Sequence, residues 1–354
     1  MCIRDSDRAR LFQFSSTGDS AGSVFIREPD STVLPFIQAL PSNTWGGTRA
    51  LSFSGSPTGS AANTENIDMV DISTFGNASD FGNMTYGTTH FSACGDTSKI
   101  IHLGGQQNRS GYPRTQLIEY VNSATPGNAQ QHGYLQAQRF YGVTHSNGTN
   151  YILATGLRNL QYSNTIEYGS IQTTGNAGSF GTLNIASTQC CGTNDLTRGV
   201  YAGGSRSGVS YANDMDYITM ATPGNGTDFG DLLGVRKDAI IGNISDNTTG
   251  VFCGGTTTSD GNTYVNNIDK ITIATTGNAT DFGNLTGVRA LAAGASDELH
   301  GGRGIIMGGK TAGSPAVVVN NIDYITIASP GNASDFGDMA TNISENAGAS
   351  GAAA

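Results

Sequence analysis

The chain has 354 residues, of which 50 are glycine and only 13% are charged, and its formal net charge is −10. This acidic balance excludes a general nucleic-acid binder, which needs a basic surface for phosphates, and it disfavours adsorption to an anionic membrane. The sequence contains no apolar run of about eighteen residues, the length expected of a transmembrane helix. Short apolar clusters between Gly, Asn, Ser and Thr are typical of many short strands joined by turns.

The N-terminal region differs from the rest of the chain. Residues 1–6, Met-Cys-Ile-Arg-Asp-Ser, resemble the translation of a transposon adapter used in sequencing libraries, and we expect them to be an artefact. Residues 7–46 are not a copy of any later segment, and we interpret them as an N-terminal extension or the remnant of an upstream region. Val33–Leu40 is apolar enough to form a strand, which either closes a ring of later strands or belongs to that upstream region.

From residue 47 onward the chain repeats one motif, Gly-Asn-Ala-Ser/Thr-Asp-Phe-Gly. The six copies, three of them intact, lie at Gly76–Gly82, Gly127–Gly133, Gly175–Gly181, Gly224–Gly230, Gly277–Gly283 and Gly331–Gly337. Their starts are 51, 48, 49, 53 and 54 residues apart, a regularity that indicates one structural unit of about fifty residues. The motif itself reads as a turn, with the phenylalanine filling the gap between neighbouring sheets.

Each copy lies among the same predicted strands. An apolar run ending in glycine comes first, then a variable polar loop, then an Ile-Asp-Tyr-Ile-like strand, and a further apolar stretch follows the motif. Such a small four-stranded unit cannot bury both faces alone, whereas radial stacking buries them and protects the edges. We therefore predict an all-β fold, a six-bladed β-propeller of four-stranded antiparallel blades over residues 47–351, with a β-helix as the structural alternative. The predicted units are 47–96, 97–147, 148–196, 197–246, 247–301 and 302–351.

The repeats resemble two groups of known propellers. An apolar strand ending in Gly-Gly, such as Val251–Gly255, together with the period, resembles kelch and galactose-oxidase repeats. Kelch repeats carry a tryptophan in their third strand, and this chain departs from that pattern because Trp45 is its only tryptophan. The unit NNIDYITIASPGNASDFGDM, residues 320–339, resembles the Gly-rich propeller repeats of tail and virion proteins of marine bacteriophages. This second resemblance implies a virion or extracellular location.

One acidic residue recurs in every unit. It lies in the strand before the motif, at Asp68, Glu119, Glu167, Asp216, Asp269 and Asp323. A catalytic acid normally occupies one special environment, so recurrence at equivalent positions predicts a structural role. We expect its partner to be a basic residue before the first strand of a unit, such as Arg49, Arg198 or Arg303.

Residues suited to catalysis do not form a recognisable constellation. The histidines, His90, His102, His132, His145 and His300, fall at unequal positions in their units, and no pair has metal-site spacing. Asp-Phe-Gly recurs without the other kinase motifs, and the Asp/Asn-rich loops lack EF-hand spacing. The five cysteines form no CxxC pair, and we interpret most of them as buried small residues. We predict that the protein is not an enzyme, with no catalytic residues, no metal site and no cofactor.

Positions that differ between repeats are free to carry recognition. The loop between the first and second strands of a unit varies most, and in three successive units it contains arginine and tyrosine, which suit binding hot spots. The predicted binding residues are Arg109, Tyr112, Arg114, Arg158, Tyr162, Arg206 and Tyr211, which we expect to form one arc on the face opposite the Gly-Asn turns. Ordinary loop filling is the alternative interpretation.

These features predict a non-enzymatic binding or structural propeller, a bacteriophage tail or receptor-binding virion component. The expected partners are a host-surface receptor, glycan or protein, or other virion proteins, and a homo-oligomer is an open possibility. We expect no nucleic-acid partner and no membrane insertion. The alternatives are a secreted bacterial carbohydrate-binding or carbohydrate-active propeller and an intracellular kelch-type adaptor.

Overall fold

The computed structural model of the chain describes residues 46–58, 63–107, 113–257, 263–297, 302–313 and 316–352, together with the backbone of four strands nearer the N-terminus. The chain divides into two compact units, Met1–Thr44 and Trp45–Ala354. No helix in the described part of the chain is long and apolar enough to cross a membrane.

The unit Met1–Thr44 contains one antiparallel sheet. Its four strands pair in chain order and are Cys2–Asp5, Arg8–Phe14, Val24–Arg27 and Val33–Ile37. The predicted strand at Val33–Leu40 therefore pairs with Val24–Arg27 and does not close the ring of later strands.

The second unit is all-β, and its small antiparallel sheets form a six-bladed β-propeller, as the repeats predict. We number the blades 1 to 6 along the chain and name the strands of each blade from the axis outward as inner, second, third and outer. Blade 1 consists, in that order, of Ala347–Gly351, Arg49–Gly55, Thr64–Asp71 and Ser79–Asn83. Blade 2 consists of Ser92–Gly95, Lys99–Leu103, Leu117–Asn122 and Gln130–Tyr134. Blade 3 consists of Val143–Ser146, Asn150–Ala154, Gln161–Ser170 and Gly178–Ser187.

The remaining blades repeat this order with one variation. Blade 4 consists of Cys191–Asn194, Arg198–Ala202, Ala212–Thr219 and Thr227–Arg236. Blade 5 has the three strands Thr249–Cys253, Asn267–Thr272 and Thr280–Asn284, and blade 6 consists of Ala293–Asp297, Arg303–Met307, Asn321–Thr326 and Ser334–Asp338. Short two-stranded pairs lie in the connections, namely Thr88–Thr89 with Gln106–Gln107, Arg139–Phe140 with Leu157–Arg158, and Lys310–Thr311 with Val317–Val318.

The ring closes by pairing the two ends of the propeller. Ala347–Gly351 pairs antiparallel with Arg49–Gly55 over five residue pairs, from Ala347 opposite Phe53 to Gly351 opposite Arg49. The four-stranded sheets of blades 2, 3, 4 and 6 likewise begin with a strand that the sequence repeats assign to the end of the preceding unit, whereas the three-stranded sheet of blade 5 has no such strand. The hydrogen-bonded blades are thus displaced by one strand relative to the sequence units.

The repeated motif joins each blade to its neighbour. The side-chain oxygen of its asparagine accepts a backbone N–H from the outer strand of the preceding blade, as between Asn128 and Asn83 at 3.0 Å. The same bond recurs in all six blades, and Asn77 accepts from Asp338 across the point of closure. The last glycine packs on the first glycine of the next motif so closely that a Cβ on Gly82 would overlap the carbonyl of Gly127. The motif phenylalanine is buried between sheets, as predicted, with His132 taking its place in blade 2.

The recurrent acid has different partners from those the sequence suggests. In blades 2 to 6 its carboxylate accepts a backbone N–H from the end of the preceding blade, as Asp323 does from Thr286 at 3.1 Å. In three blades it also pairs with a buried arginine of that preceding blade, in the pairs Arg139–Glu167, Arg236–Asp269 and Arg289–Asp323. The expected partners Arg49, Arg198 and Arg303 instead donate to backbone carbonyls of the next blade, so that prediction is wrong.

The alternating strand directions separate two faces of the propeller. Gly-Asn turns, which join third to outer strands, emerge on one face, which we call the turn face. The opposite, irregular face carries the connections from second to third strands, whose described parts are 56–58 and 63, 104–107 and 113–116, 155–160, 203–211, 254–257 and 263–266, and 308–313 and 316–320. It also carries the connections from each outer strand to the next inner strand. The irregular face is where the six blades differ in sequence and length.

Candidate functional site at the axis

Small polar side chains of the innermost segments line the axis of the propeller around a small cavity. Asn194 donates to the carbonyl of Ser146 at 2.9 Å, and Ser245 donates to the carbonyl of Asn194 at 2.6 Å. Thr193 donates to the side chain of Asn243 at 3.0 Å. Because these groups satisfy one another across neighbouring blades, the axis is a hydrogen-bonded core, and the chemically varied groups lie at its mouth on the irregular face.

Six equivalent residues form that mouth. Each lies in the connection that follows the outer strand of one blade and leads to the axis, and each has a left-handed backbone conformation with φ between 53° and 59°. We call these residues the axial ring, and they are His90, Tyr141, Gln189, Asp238, Leu291 and Glu345. Five backbone N–H···O=C hydrogen bonds link them in series. Tyr141 donates to His90, His90 to Glu345, Glu345 to Leu291, Leu291 to Asp238, and Asp238 to Gln189. Their backbones are nearly equivalent, while all six side chains differ.

The left-handed conformation has an energetic cost at these positions. For a residue other than glycine it is disfavoured by roughly 1–2 kcal/mol, and bulky residues such as Tyr141 and Leu291 rarely adopt it. Glycine would remove this cost, and glycine is abundant elsewhere in the chain. Strain retained at several equivalent positions is typical of sites where the side chains themselves are needed.

One side of the axial ring carries a charged trio. The Nε2 atom of His90 lies 3.3 Å from a Glu345 carboxylate oxygen, and Lys310 Nζ contacts the other oxygen. These three side chains are only 11–15% exposed. Burial lowers the pKa of His90 to about 4, and Lys310 lowers it further while Glu345 opposes the shift. His90 is therefore neutral at pH 7, and its ring packs on Tyr141 with the centroids 4.1 Å apart.

The opposite side carries a second acid. Gln189 Nε2 donates to Asp238 Oδ1 at 2.8 Å. Burial raises the pKa of Asp238 to about 6, with Glu345 adding to the shift and Lys237, Gln189 and Lys310 opposing it. The axial ring and Lys310 thus place two acidic side chains, a lysine amine, an amide and an aromatic ring around one opening.

The sequence-predicted binding residues lie farther from the axis, at the connections between second and third strands. Arg109 and Tyr112 fall outside the described residues. Arg114 lies over the ring of Phe140 at 5.0 Å, and Arg158 approaches Glu167 at 3.7 Å. Tyr162 is 42% exposed on blade 3.

On blade 4, Arg206 pairs with Asp214, and Lys237 lies over the ring of Tyr211 at 5.0 Å. These five described residues therefore occupy three consecutive blades, and their role in binding stays a prediction.

Sequence reasoning missed the axial ring because its members share no residue type. One signal was available, since five of the six members lie two residues before an inner strand, at a position that varies inside otherwise repeated flanks. Among the described residues, no group of three or more His, Cys, Asp or Glu side chains is arranged to hold a metal ion. Comparison with models of known protein families and with curated proteins finds no match to this chain.

Proposed function

We propose that this chain is a non-enzymatic binding module that recognises its partner with the axial ring on the irregular face. The observation that carries the proposal is the contrast between six equivalent backbones and six different side chains. A ring that served only closure of the fold would be satisfied by glycine at each position. Specific side chains held there at an energetic cost are what recognition of an asymmetric partner requires.

The chemistry of the ring favours binding over catalysis. Glu345 is engaged by Lys310 and His90, and Asp238 is engaged by Gln189, so both acids are hydrogen-bond acceptors in fixed orientations. His90, with a pKa of about 4, is poorly matched to general-base chemistry at neutral pH. Burial raises the pKa of the four described cysteines, which makes them weak nucleophiles.

The finer proposal is that the module is a virion component of a bacteriophage that binds a host-surface glycan or protein. It rests on the resemblance of residues 320–339 to phage propeller repeats, and the looser kelch resemblance adds only the general architecture. Acceptors, donors and one aromatic face around a single opening suit a polar, hydroxyl-rich ligand such as a glycan. We accordingly expect a virion or extracellular location.

The test removes the two ring charges without changing side-chain shape. Asp238→Asn with Glu345→Gln should weaken binding to a glycan array and to marine bacterial cells by about tenfold or more, because charged acceptors bind hydroxyl donors more strongly than amides do. Lowering the pH from 7 to 5 should weaken binding of the natural sequence in the same direction, because Asp238 protonates near pH 6.

The matched control is Asp281→Asn with Asp335→Asn, which removes the same charge from exposed positions on the turn face. Binding that is unaffected by the ring variant, or equally affected by the control, would contradict the proposal.

A further inference from the structure

Each buried arginine between two blades lies in a pocket that we call the arginine socket. The residues of this socket can be compared in all six gaps between blades. Arg139 of blade 2 extends into the gap toward blade 3, where it donates to the carbonyls of Thr155 at 3.1 Å and Thr165 at 2.8 Å. It also donates to the Glu167 carboxylate at 3.0 Å. Arg236 and Arg289 occupy the corresponding gaps before blades 5 and 6, and their side chains are only 4% exposed. The socket therefore fits a guanidinium group in three of the six gaps.

The gap between blades 3 and 4 has the socket without the arginine. Ser187 stands where the other three gaps have Arg139, Arg236 and Arg289, two residues before the axial-ring position. A cleft is open there instead, and its lining includes Ser187, Gly203, Asp214 and Asp216. By strand register, Gly203, Asp214 and Asp216 of blade 4 correspond to Thr155, Thr165 and Glu167 of blade 3, in that order. Those three residues of blade 3 are the ones that Arg139 contacts. The cleft is thus the equivalent of the guanidinium site without an arginine from the preceding blade, and the Cys190 thiol donates there to the Gly203 carbonyl at 3.3 Å.

The other two gaps without arginine are filled in different ways. Before blade 2 the position is Thr88, which is buried and hydrogen-bonded to His102 at 3.2 Å. Before blade 1 it is the buried Ile343. Loss of the arginine is therefore compensated by packing in these two gaps, whereas an open cleft remains between blades 3 and 4.

A second observation points to a ligand in that cleft. Tyr201, which lines it, is 3% exposed, and its hydroxyl has no hydrogen-bond partner in the described part of the chain. Tyr201 lies opposite Asp216 in the strand pairing of blade 4. The equivalent residue of blade 3, opposite Glu167, is the apolar Leu153. A buried, unpaired hydroxyl costs free energy unless something binds to it.

The charges of the cleft favour a cation. Asp216 accepts from Asn184 at 3.0 and 2.9 Å, and burial raises its pKa, with Asp228 and Asp214 adding to the shift. The neighbouring Arg206 pairs with Asp214 at the rim, where its side chain is 27% exposed. Two carboxylates and one guanidinium leave the cleft with one net negative charge when both acids are ionised.

We infer that the cleft between blades 3 and 4 binds a guanidinium group from outside the chain, such as an arginine side chain of a partner protein. Asp216 and the Gly203 carbonyl would receive its N–H groups as Glu167 and Thr155 receive those of Arg139. The Tyr201 hydroxyl would accept a further N–H. This site is separate from the axial ring and does not depend on the function proposed for that ring.

The experiment titrates the protein with methylguanidinium and follows the backbone amide resonances of Asn184, Ser187 and Asp216 by NMR. We expect saturable binding that Asp216→Asn weakens by about tenfold or more, because one direct charge pair is lost. Ser187→Arg should abolish the binding, because its own side chain fills the socket as Arg139 does, and this variant should remain folded. Tyr201→Phe keeps the shape and should weaken binding a few-fold.

The control is Asp335→Asn, which removes an exposed charge from the outer strand of blade 6, two blades away from blade 4 and outside the cleft. It should change the affinity by less than about threefold, since an exposed charge at that distance is screened. Three results would overturn the inference. They are no saturable binding to the natural sequence, undiminished binding to Ser187→Arg, or butylammonium binding as tightly as methylguanidinium.

Discussion

At the scale of single residues, the recurrent acid shows how one position can take two energetic roles. Asp323 is paired with Arg289 at 3.1 Å and both side chains are nearly fully buried. Asp68 has Ile343 in place of that arginine, and burial raises its pKa to about 6, with Asp80 adding to the shift. Ionisation of Asp68 therefore opposes folding, whereas the charge of Asp323 is compensated.

This contrast predicts opposite effects of the same substitution. Asp68→Asn should stabilise the protein by roughly 1–2 kcal/mol at pH 8, because the folded state no longer has to hold an unfavourable charge. Asp323→Asn should destabilise it by about 3 kcal/mol, because Arg289 is left buried without its partner. The measurement is urea denaturation at pH 8 and at pH 4.

The pH dependence follows from the sign of the Asp68 shift. The folded-state pKa of about 6 lies above the ordinary value of 3.8, so the stability associated with Asp68 is complete below pH 4 and is lost as the pH rises through 6. The advantage of Asp68→Asn should therefore disappear at pH 4. Destabilisation by Asp68→Asn at pH 8 would contradict this account of the gap before blade 1.

Residue roles were only partly predictable from the sequence. The recurrence of the acid correctly indicated a structural role in blades 2 to 6, but its partners there are backbone amides and arginines of the preceding blade, which are distant in sequence. Arg139, Arg236 and Arg289 occur in three of six equivalent positions, so the repeat comparison did not single them out. The axial ring was missed because its left-handed φ values depend on the closure of the whole ring.

At the scale of elements, the sequence predicted the strands well and their grouping less well. A repeat of four strands can be divided at any of four points, and the sequence pattern looks the same for each choice. The structure divides it so that the inner strand of blade 1, Ala347–Gly351, comes from the opposite end of the propeller. That choice becomes visible only in the pairing, because both ends of the ring must contribute to one sheet.

The closing strand is therefore the element on which the ring depends most directly. Removal of all residues after Asn346 should expose the edge of Arg49–Gly55 and lose the packing of Ala347 against the first blade. We expect the thermal unfolding midpoint to fall by about 10 °C or more and binding of a hydrophobic dye to rise, because an unpaired edge and apolar core become accessible.

A truncation after Ala352 is the control, because it retains every residue of the closing strand. It should unfold at the same temperature as the full chain. Equal stability of the two truncated proteins would show that closure by Ala347–Gly351 contributes little.

At the scale of the whole molecule, the propeller separates structural from recognition surfaces. The turn face repeats one hydrogen-bonded junction six times, with Asn–backbone distances of 3.0–3.1 Å. The irregular face holds the axial ring, the cleft between blades 3 and 4, and the five described arginine and tyrosine residues. A surface constrained at every blade has little freedom to match a partner, so recognition is expected on the irregular face.

Site-specific labelling tests this division directly. In a Cys2→Ser background, the four described cysteines are buried and their pKa values are raised, so they should react slowly with a maleimide. Leu160→Cys places a reactive thiol on the irregular face, where Leu160 is 55% exposed, and Asp281→Cys places one on the turn face. A polyethylene-glycol maleimide attached at residue 160 should block binding to glycans and bacterial cells by steric exclusion. The same label at residue 281 should leave binding unchanged, and the reverse pattern would assign recognition to the turn face.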